Sequence, residues 1–273
     1  MVIIEGSNAF LQGPTQQEKA ILKEARIHTF EQQKRVRVKK FAVSETEVPL
    51  RQFEEFVSAT NYRFAKNDGC GGAPSIEFPY INFSPRPEVD FRNPEFEQTE
   101  FSPVVCVSFT DAMAYAQWLS HRTGFRYRLP SEAEWELLAR ATYADVGGAA
   151  TGSDGSVICR YENIADDAVG WFDCDDGYGD RTAPTATYAN NRLGVYDMLG
   201  NVAEYVGDCG EDLEQPPERV RQNSLENRCE YYVTKGATFW SGLPDTIPSG
   251  RRVHVEEFRV NGFGFRVVRE LRP

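Results

Sequence analysis

The sequence predicts an α+β fold with few helices and short strands, and three observations predict it. Two well-capped amphipathic helices lie in the first half of the chain. A stretch rich in Gly, Asp and Asn follows, in which helical periodicity stops. Brief strand-like runs then close the chain. The regular helix–strand alternation of a doubly wound sheet is missing. Composition is that of an ordinary globular protein, with 273 residues, 41% of them hydrophobic and 26% charged. Lys and Arg number 30 against 41 Asp and Glu, a net charge of −11. An acidic surface repels phosphate backbones, which argues against nucleic acid as a partner. No run approaches the roughly 18 apolar residues of a membrane span.

Met1 leads directly into Val2-Ile3-Ile4, an opening strand rather than a signal peptide. Val36-Arg37-Val38-Lys39 alternates apolar and polar residues, as a half-buried strand does. Pro49 suits a first helical turn, and Leu50, Phe53 and Val57 follow on one face. Residues 64–103 are proline-rich with little periodicity, a long irregular excursion. Val104-Val105-Cys106-Val107 reads as a short buried strand. Ser108 and Asp111 then mark a capped helix start. Ala112, Tyr115, Ala116 and Leu119 form its inward face, and Gly124 stops it. Ser131 and Glu134 form a full capping box for a second helix, with Trp135, Leu138 and Ala139 turned inward. Later strand-like runs are Gly194-Val195-Tyr196, Glu230-Tyr231-Tyr232-Val233 and residues 264–268. No repeat or boundary divides the chain, so residues 1–273 read as a single domain.

Most catalytic chemistries find no support. No nucleophile elbow, zinc-protease helix, phosphate loop or dinucleotide fingerprint occurs in a supporting context. The three histidines, His28, His121 and His254, have no metal-site spacing, and His121 falls on the exposed side of its helix. Two oxygen-rich clusters stand out, one from Asn163-Ile164 to Asp176-Gly177-Tyr178, the other from Asp197 to Glu204. Calcium takes six to eight oxygens from carboxylates, amides and free carbonyls, and such loops offer all three. Asp and Asn in loops are more often simple turn formers. Six cysteines, Cys70, Cys106, Cys159, Cys174, Cys209 and Cys229, lie outside C-x-x-C spacing. They read either as disulfides of an oxidising compartment or as buried thiols, and six allow 15 pairings.

Several segments resemble the formylglycine-generating enzyme, or sulfatase-modifying factor, family. They are Glu45-Thr46-Glu47-Val48, Pro103–Phe109, the run Tyr127–Glu136 containing R-L-P-S-E-A-E-W-E, the run Gly194–Glu204 reading G-V-Y-D-M-L-G-N-V-A-E, and Gly264-Phe265-Arg266. They follow the family's order along nearly the whole chain. The resemblance implies an irregular, C-type-lectin-like α+β fold, rich in loops. It implies two structural calcium ions. The first would be held by Asn163, the Ile164 carbonyl, Asp176 and the Tyr178 carbonyl. The second would be held by Asp197, the Gly200 and Val202 carbonyls, and Glu204. It also implies the pairs Cys159–Cys174 and Cys209–Cys229, which leaves Cys70 with Cys106, and thus a periplasmic or extracellular location with the export signal outside this chain.

The catalytic part of the family does not carry over. Its two copper-binding cysteines follow a G-G-S-aromatic turn, which here reads Gly236-Ala237-Thr238-Phe239-Trp240. Ser241 and Thr246 stand at the two cysteine positions, and no cysteine lies beyond Cys229. A hydroxyl does not replace a thiolate as a soft Cu(I) ligand. The resemblance therefore implies a non-copper member. The first expectation is an exported, calcium-stabilised module that binds a protein, peptide or small molecule through Trp240, Arg251, Arg252, His254 and Phe258, aromatic and Arg residues of the kind binding patches use. The bland alternative is that these residues only close the core. The rival expectation is a periplasmic enzyme modifying a peptide or siderophore precursor, as a pyoverdine-maturation relative does. An active formylglycine generator comes third.

Overall fold

The computed structural model describes residues 1–30, 32–64, 69–72, 84–145, 158, 159, 161–165, 175–210, 229 and 231–271. Among them are the helices α1 (Gln16–Glu24), α2 (Leu50–Thr60), α3 (Phe109–Thr123) and α4 (Glu132–Asp145). The strands are β1 (Val2–Ile4), β2 (Ser7–Gln12), β3 (Lys34–Val38), β4 (Phe41–Val43), β5 (Tyr127–Arg128), β6 (Ala203–Gly210), β7 (Tyr231–Lys235), β8 (Arg252–His254), β9 (Phe263–Gly264) and β10 (Val268–Glu270). They form three small sheets, ordered β1-β4-β10-β5, β2-β3 and β8-β7-β6-β9. Every pair is antiparallel except β6 with β9. The α+β expectation holds.

Local chemistry sets the helix ends where the sequence places them. The Ser108 hydroxyl accepts the Asp111 amide, and Asp111 accepts the Ser108 amide at 2.8 Å. Gly124 ends α3 at φ 74°, a left-handed position that costs glycine little. Ser131 and Glu134 make the same reciprocal pair at α4. Pro49 is the N-cap of α2 rather than part of its first turn. α1 was not expected from periodicity, because it buries only Glu18 and Leu22, but a Thr15–Glu18 capping box starts it.

Two expected strands are absent. Val104–Val107 are buried as expected, but their amides bond to separate neighbours, Val104 to the Val48 carbonyl and Cys106 to that of Val260. Cys106 adopts φ 58°, which interrupts any extended run. Gly194–Tyr196 is a turn, built on the Asn191 side chain, whose oxygen accepts the amides of Leu193 and Val195.

Two apolar clusters hold these elements together. One packs Trp135 and Leu138 of α4 against Phe41 and Val43 of β4, Val206 of β6 and Val233 of β7. The other is aromatic: Phe53 of α2 has ring centroids at 5.4 Å from both Phe56 and Phe91, edge to face, and 6.1 Å from Tyr115 of α3. Cys70–Cys106 ties the irregular excursion to this second cluster, with Cα atoms 5.4 Å apart. Cys209, near the end of β6, bonds Cys229 with Cα atoms 5.3 Å apart. The remaining expected pair includes Cys174, which lies outside the described residues, and no free cysteine occurs among the described ones.

Candidate functional site

The two oxygen-rich loops, separate in the sequence, meet in the interior. The Asn201 amide bonds to the Asn163 carbonyl at 2.6 Å, and the Asn163 side-chain nitrogen donates to the Asn201 side-chain oxygen at 3.1 Å. Gly200 must be glycine here, because an added Cβ would strike the Asn163 carbonyl oxygen. Asn201 is the hub. It sits at φ 67°, accepts the Ala183 amide, and donates to Glu47 at 3.3 Å.

Glu204, the first inward carboxylate of β6, receives the strongest set of bonds. Arg266 donates through Nε to both carboxylate oxygens at 2.8 Å and through Nη2 at 2.7 Å. The Trp135 indole adds a bond at 2.9 Å. The same guanidinium reaches the carbonyls of Tyr196 at 2.9 Å and Asp197 at 3.1 Å. Arg266 is fully buried and Glu204 nearly so. This one cation therefore pins the 196–197 loop, β6 and the segment before β10.

The surrounding acids outnumber it. Burial raises Glu47 and Glu162 well above the ordinary carboxylate range, and the nearby Asp197 charge pushes both further. Asp197 is pushed up to about 6 by burial, against the opposing Ala186 amide and Arg266. One oxygen each of Glu47 and Glu162 has no hydrogen-bond partner. Glu47, Glu162, Asn201 and Arg266 were given no site role from sequence, although all but Glu162 lie within quoted motifs.

The donors of the two oxygen-rich loops can be set against what calcium requires. Asn163 is completely buried and its Oδ1 has no partner, while its nitrogen is satisfied by Arg181 and Asn201. An orphaned, inward amide oxygen is the donor a cation needs. Asp176 stands beside it, accepting the Ile164 amide at 3.0 Å and the Tyr178 amide at 2.9 Å. The first loop therefore fits a hard cation. The second fits less well, since Arg266 and Trp135 already occupy the Glu204 carboxylate. Among the described residues no three His, Cys, Asp or Glu side chains converge on a metal position; the implied sites take half of their donors from carbonyls.

Ser241 and Thr246 are both buried. The Ser241 hydroxyl bonds with that of Thr238 at 2.8 Å and accepts the Thr238 amide. The Thr246 hydroxyl donates to the Leu243 carbonyl at 2.7 Å within a 3-10 turn over Leu243–Thr246. The expected binding residues divide. Arg251 lies inside, paired with Glu132 at 2.9 Å, and so is withdrawn from any surface. Arg252 is exposed and holds Asp245. His254 stacks on Phe258 with centroids 4.8 Å apart and bonds the Thr234 hydroxyl at 3.0 Å. Burial, with the Arg252 charge, lowers His254 to about 3, so the ring is neutral. Trp240 lies partly buried against Gly262 and edge-on to Phe239.

Among the described residues two surface clefts stand out. One of about 200 Å³ is lined by Phe64, Val89, Phe91, Arg92, Cys106 and Arg259, among others. A more open one of about 570 Å³ runs between α2 and α3, with Arg51, Tyr115, Trp118 and Arg122. The raised carboxylates Glu47, Glu162 and Asp197 line neither.

An α+β fold of short sheets, cross-linked through a buried Arg–Glu network, defines the class of protein. Residues 1–271 match the sulfatase-modifying factor enzyme 1-like domain, and the chain belongs to that family. It is 31% identical to a formylglycine-generating enzyme of Mycobacterium tuberculosis over 226 residues, which cover 67% of this chain and 66% of that enzyme. It is 28% identical over 210 residues to the inactive C-alpha-formylglycine-generating enzyme 2 of Mus musculus, covering 65% of this chain and 62% of that protein. Both relatives thus carry about a third of their length outside the match. Among solved structures, PvdO of Pseudomonas aeruginosa superposes with a TM-score of 0.71 at 27% identity, covering 98% of this chain and 93% of that one.

Proposed function

We propose that this chain is a non-copper member of its family, exported to the periplasm or beyond, which works as a calcium-supported binding module. The observation that carries the binding reading is where the perturbed carboxylates lie. An enzyme would place them in a cleft. Here Glu47, Glu162 and Asp197 are in the interior, while the two clefts among the described residues carry mainly aromatic and Arg side chains, with one exposed acid each, Asp90 and Glu55. The two hydroxyls at Ser241 and Thr246 support the loss of copper chemistry, because each is bonded within its own turn. The disulfides Cys70–Cys106 and Cys209–Cys229 support an oxidising compartment. No described helix is long and apolar enough to cross a membrane.

Calcium in this reading is structural. Asn163 and Asp176, with the carbonyls of Ile164 and Tyr178, would hold the stronger ion. Its charge would join Asn163 and Ile164 to Asp176 and Tyr178, residues that belong to no strand. At the second loop, Asp197 and the carbonyls of Gly200 and Val202 would have to share Glu204 with Arg266, so an ion there binds more weakly.

Two measurements test the function. Incubation with Cu(I), oxygen and a Cys-x-Pro-x-Arg peptide is expected to give no aldehyde, and accumulation of aldehyde would overturn the non-copper assignment. Peptides selected from a displayed library should bind the wild type and lose affinity for Phe258→Ala. Selected peptides that hold Phe258→Ala equally well would remove His254–Phe258 from the binding surface.

A further inference from the structure

We propose that the outward face of the β2–β3 ribbon is a docking site for a short acidic protein segment. Residues 34–40 read Lys-Arg-Val-Arg-Val-Lys-Lys, five basic positions in seven within a chain of net charge −11. The pleat sorts them. Val36 and Val38 turn inward with Phe10 onto the cluster of Trp135 and Leu138, as the ribbon packs on α4. Successive side chains of a strand alternate between faces, so Arg35 and Arg37 point outward, and Lys39 follows in the same phase. All three are exposed.

Their neighbours at either end are already engaged. Lys34 lies over the Phe30 ring at 4.4 Å, and Lys40 pairs with Glu5 at 2.7 Å. Among the described residues no carboxylate pairs with Arg35, Arg37 or Lys39. Some exposed arginines elsewhere on this surface find acids, as Arg92 finds Glu54 and Arg122 finds Glu55, but among the described residues only in 34–40 do unpaired cations follow one another at alternate positions. The three free cations repeat at about 7 Å, the two-residue rise of a strand, which matches alternate side chains of another extended segment. Leu11 lies directly across from Arg35 and is 46% exposed, which adds an apolar contact to the charged row.

Net charge decides between anionic partners. Exposed charges act over about 10 Å at ordinary salt. A membrane plane or a long nucleic acid laid over the ribbon also meets the acidic remainder of the surface. A short acidic segment meets the ribbon alone, so charge complementarity is local.

The test uses the full chain and a labelled peptide of alternating glutamate and serine, followed by fluorescence anisotropy. Binding is expected at low salt, and affinity should fall about tenfold or more as salt rises several-fold. The triple variant Arg35→Glu, Arg37→Glu, Lys39→Glu should lose binding about tenfold or more, the neutral glutamine triple should lose less, and both should melt with the wild type because the residues are exposed. Arg126→Glu, exposed between α3 and β5 and outside both clefts, should bind unchanged. The proposal is overturned if a glutamine–serine peptide binds as well, if Arg126→Glu loses as much as the triple variant, or if phosphatidylglycerol vesicles or oligothymidylate bind more tightly than the acidic peptide.

Discussion

Replacing Arg266 by methionine keeps most of the apolar stem and removes the guanidinium, which leaves Glu204 as a buried charge without its cation. In the native fold that cation makes three contacts of 2.7–2.8 Å with the carboxylate. It also satisfies the carbonyls of Tyr196 and Asp197. Removing one member of a buried pair costs about 3–5 kcal/mol. The stability of a whole domain is about 5–15 kcal/mol, so the variant folds marginally, with a melting temperature lower by roughly 10 °C. The loss comes from the stranded charge, so Glu204→Gln added to Arg266→Met should restore about 1 kcal/mol or more relative to Arg266→Met alone, a clear departure from additivity. Urea unfolding with disulfides intact and chelator present measures both. An Arg266→Met protein within about 1 kcal/mol of wild type, or a double variant that merely adds the two single losses, would refute the assignment of this pair as the central cross-link.

Three further outcomes are expected. Chelator should lower the melting temperature and calcium restore it, by about 2.7 kcal/mol at a hundredfold excess over Kd; Asn163→Ala should abolish the response, Glu204→Gln should keep most of it, and a wild type indifferent to both additions leaves these loops as ordinary Asx turns. Non-reduced peptide mapping should recover Cys70 with Cys106, Cys209 with Cys229 and Cys159 with Cys174. With separations of 36 and 20 residues, opening the first two should cost about 4 and about 3 kcal/mol in the chain-entropy model, and six alkylatable thiols would contradict the pairing. His254 is held to about 3 in the fold but titrates near 6.5 when unfolded, so the unfolded chain binds the extra proton. Its contribution is complete above pH about 6.5 and is lost as pH falls toward about 3. The stability difference between wild type and His254→Phe should shrink over that window, and a difference independent of pH would show that the ring is not kept neutral by burial.

Features written in local chemistry were legible in the sequence. The capping boxes at Ser108–Asp111 and Ser131–Glu134 need only residues three apart, and the inward stripes of α3 and α4 follow from helical spacing. β3 and β7 came from alternation and β-rich composition. The motif runs carried the family, and with it the pairs Cys70–Cys106 and Cys209–Cys229. Failures came where several distant segments share one job. Val104–Val107 are apolar because they are buried, and burial alone does not choose between a strand and a run whose amides bond to Val48 and Val260. Arg251, seen in sequence as half of an exposed arginine pair, is turned inward by Glu132 of α4, more than a hundred residues earlier in the chain.

The candidate site divides along the same line. The sequence determined which oxygen-bearing side chains stand at the positions the family resemblance singles out, Asn163, Asp176, Asp197 and Glu204, and that hydroxyls replace thiols at positions 241 and 246. Tertiary structure decided which of these oxygens are already engaged. It brought Arg266 from the end of the chain onto Glu204, joined Asn163 to Asn201, and left the Asn163 Oδ1 without a partner. The physical reason is that hydrogen-bond saturation belongs to the buried environment as a whole. An oxygen is a free ligand only when no donor from any other segment reaches it, and residue type and spacing along one strand of sequence do not contain that information.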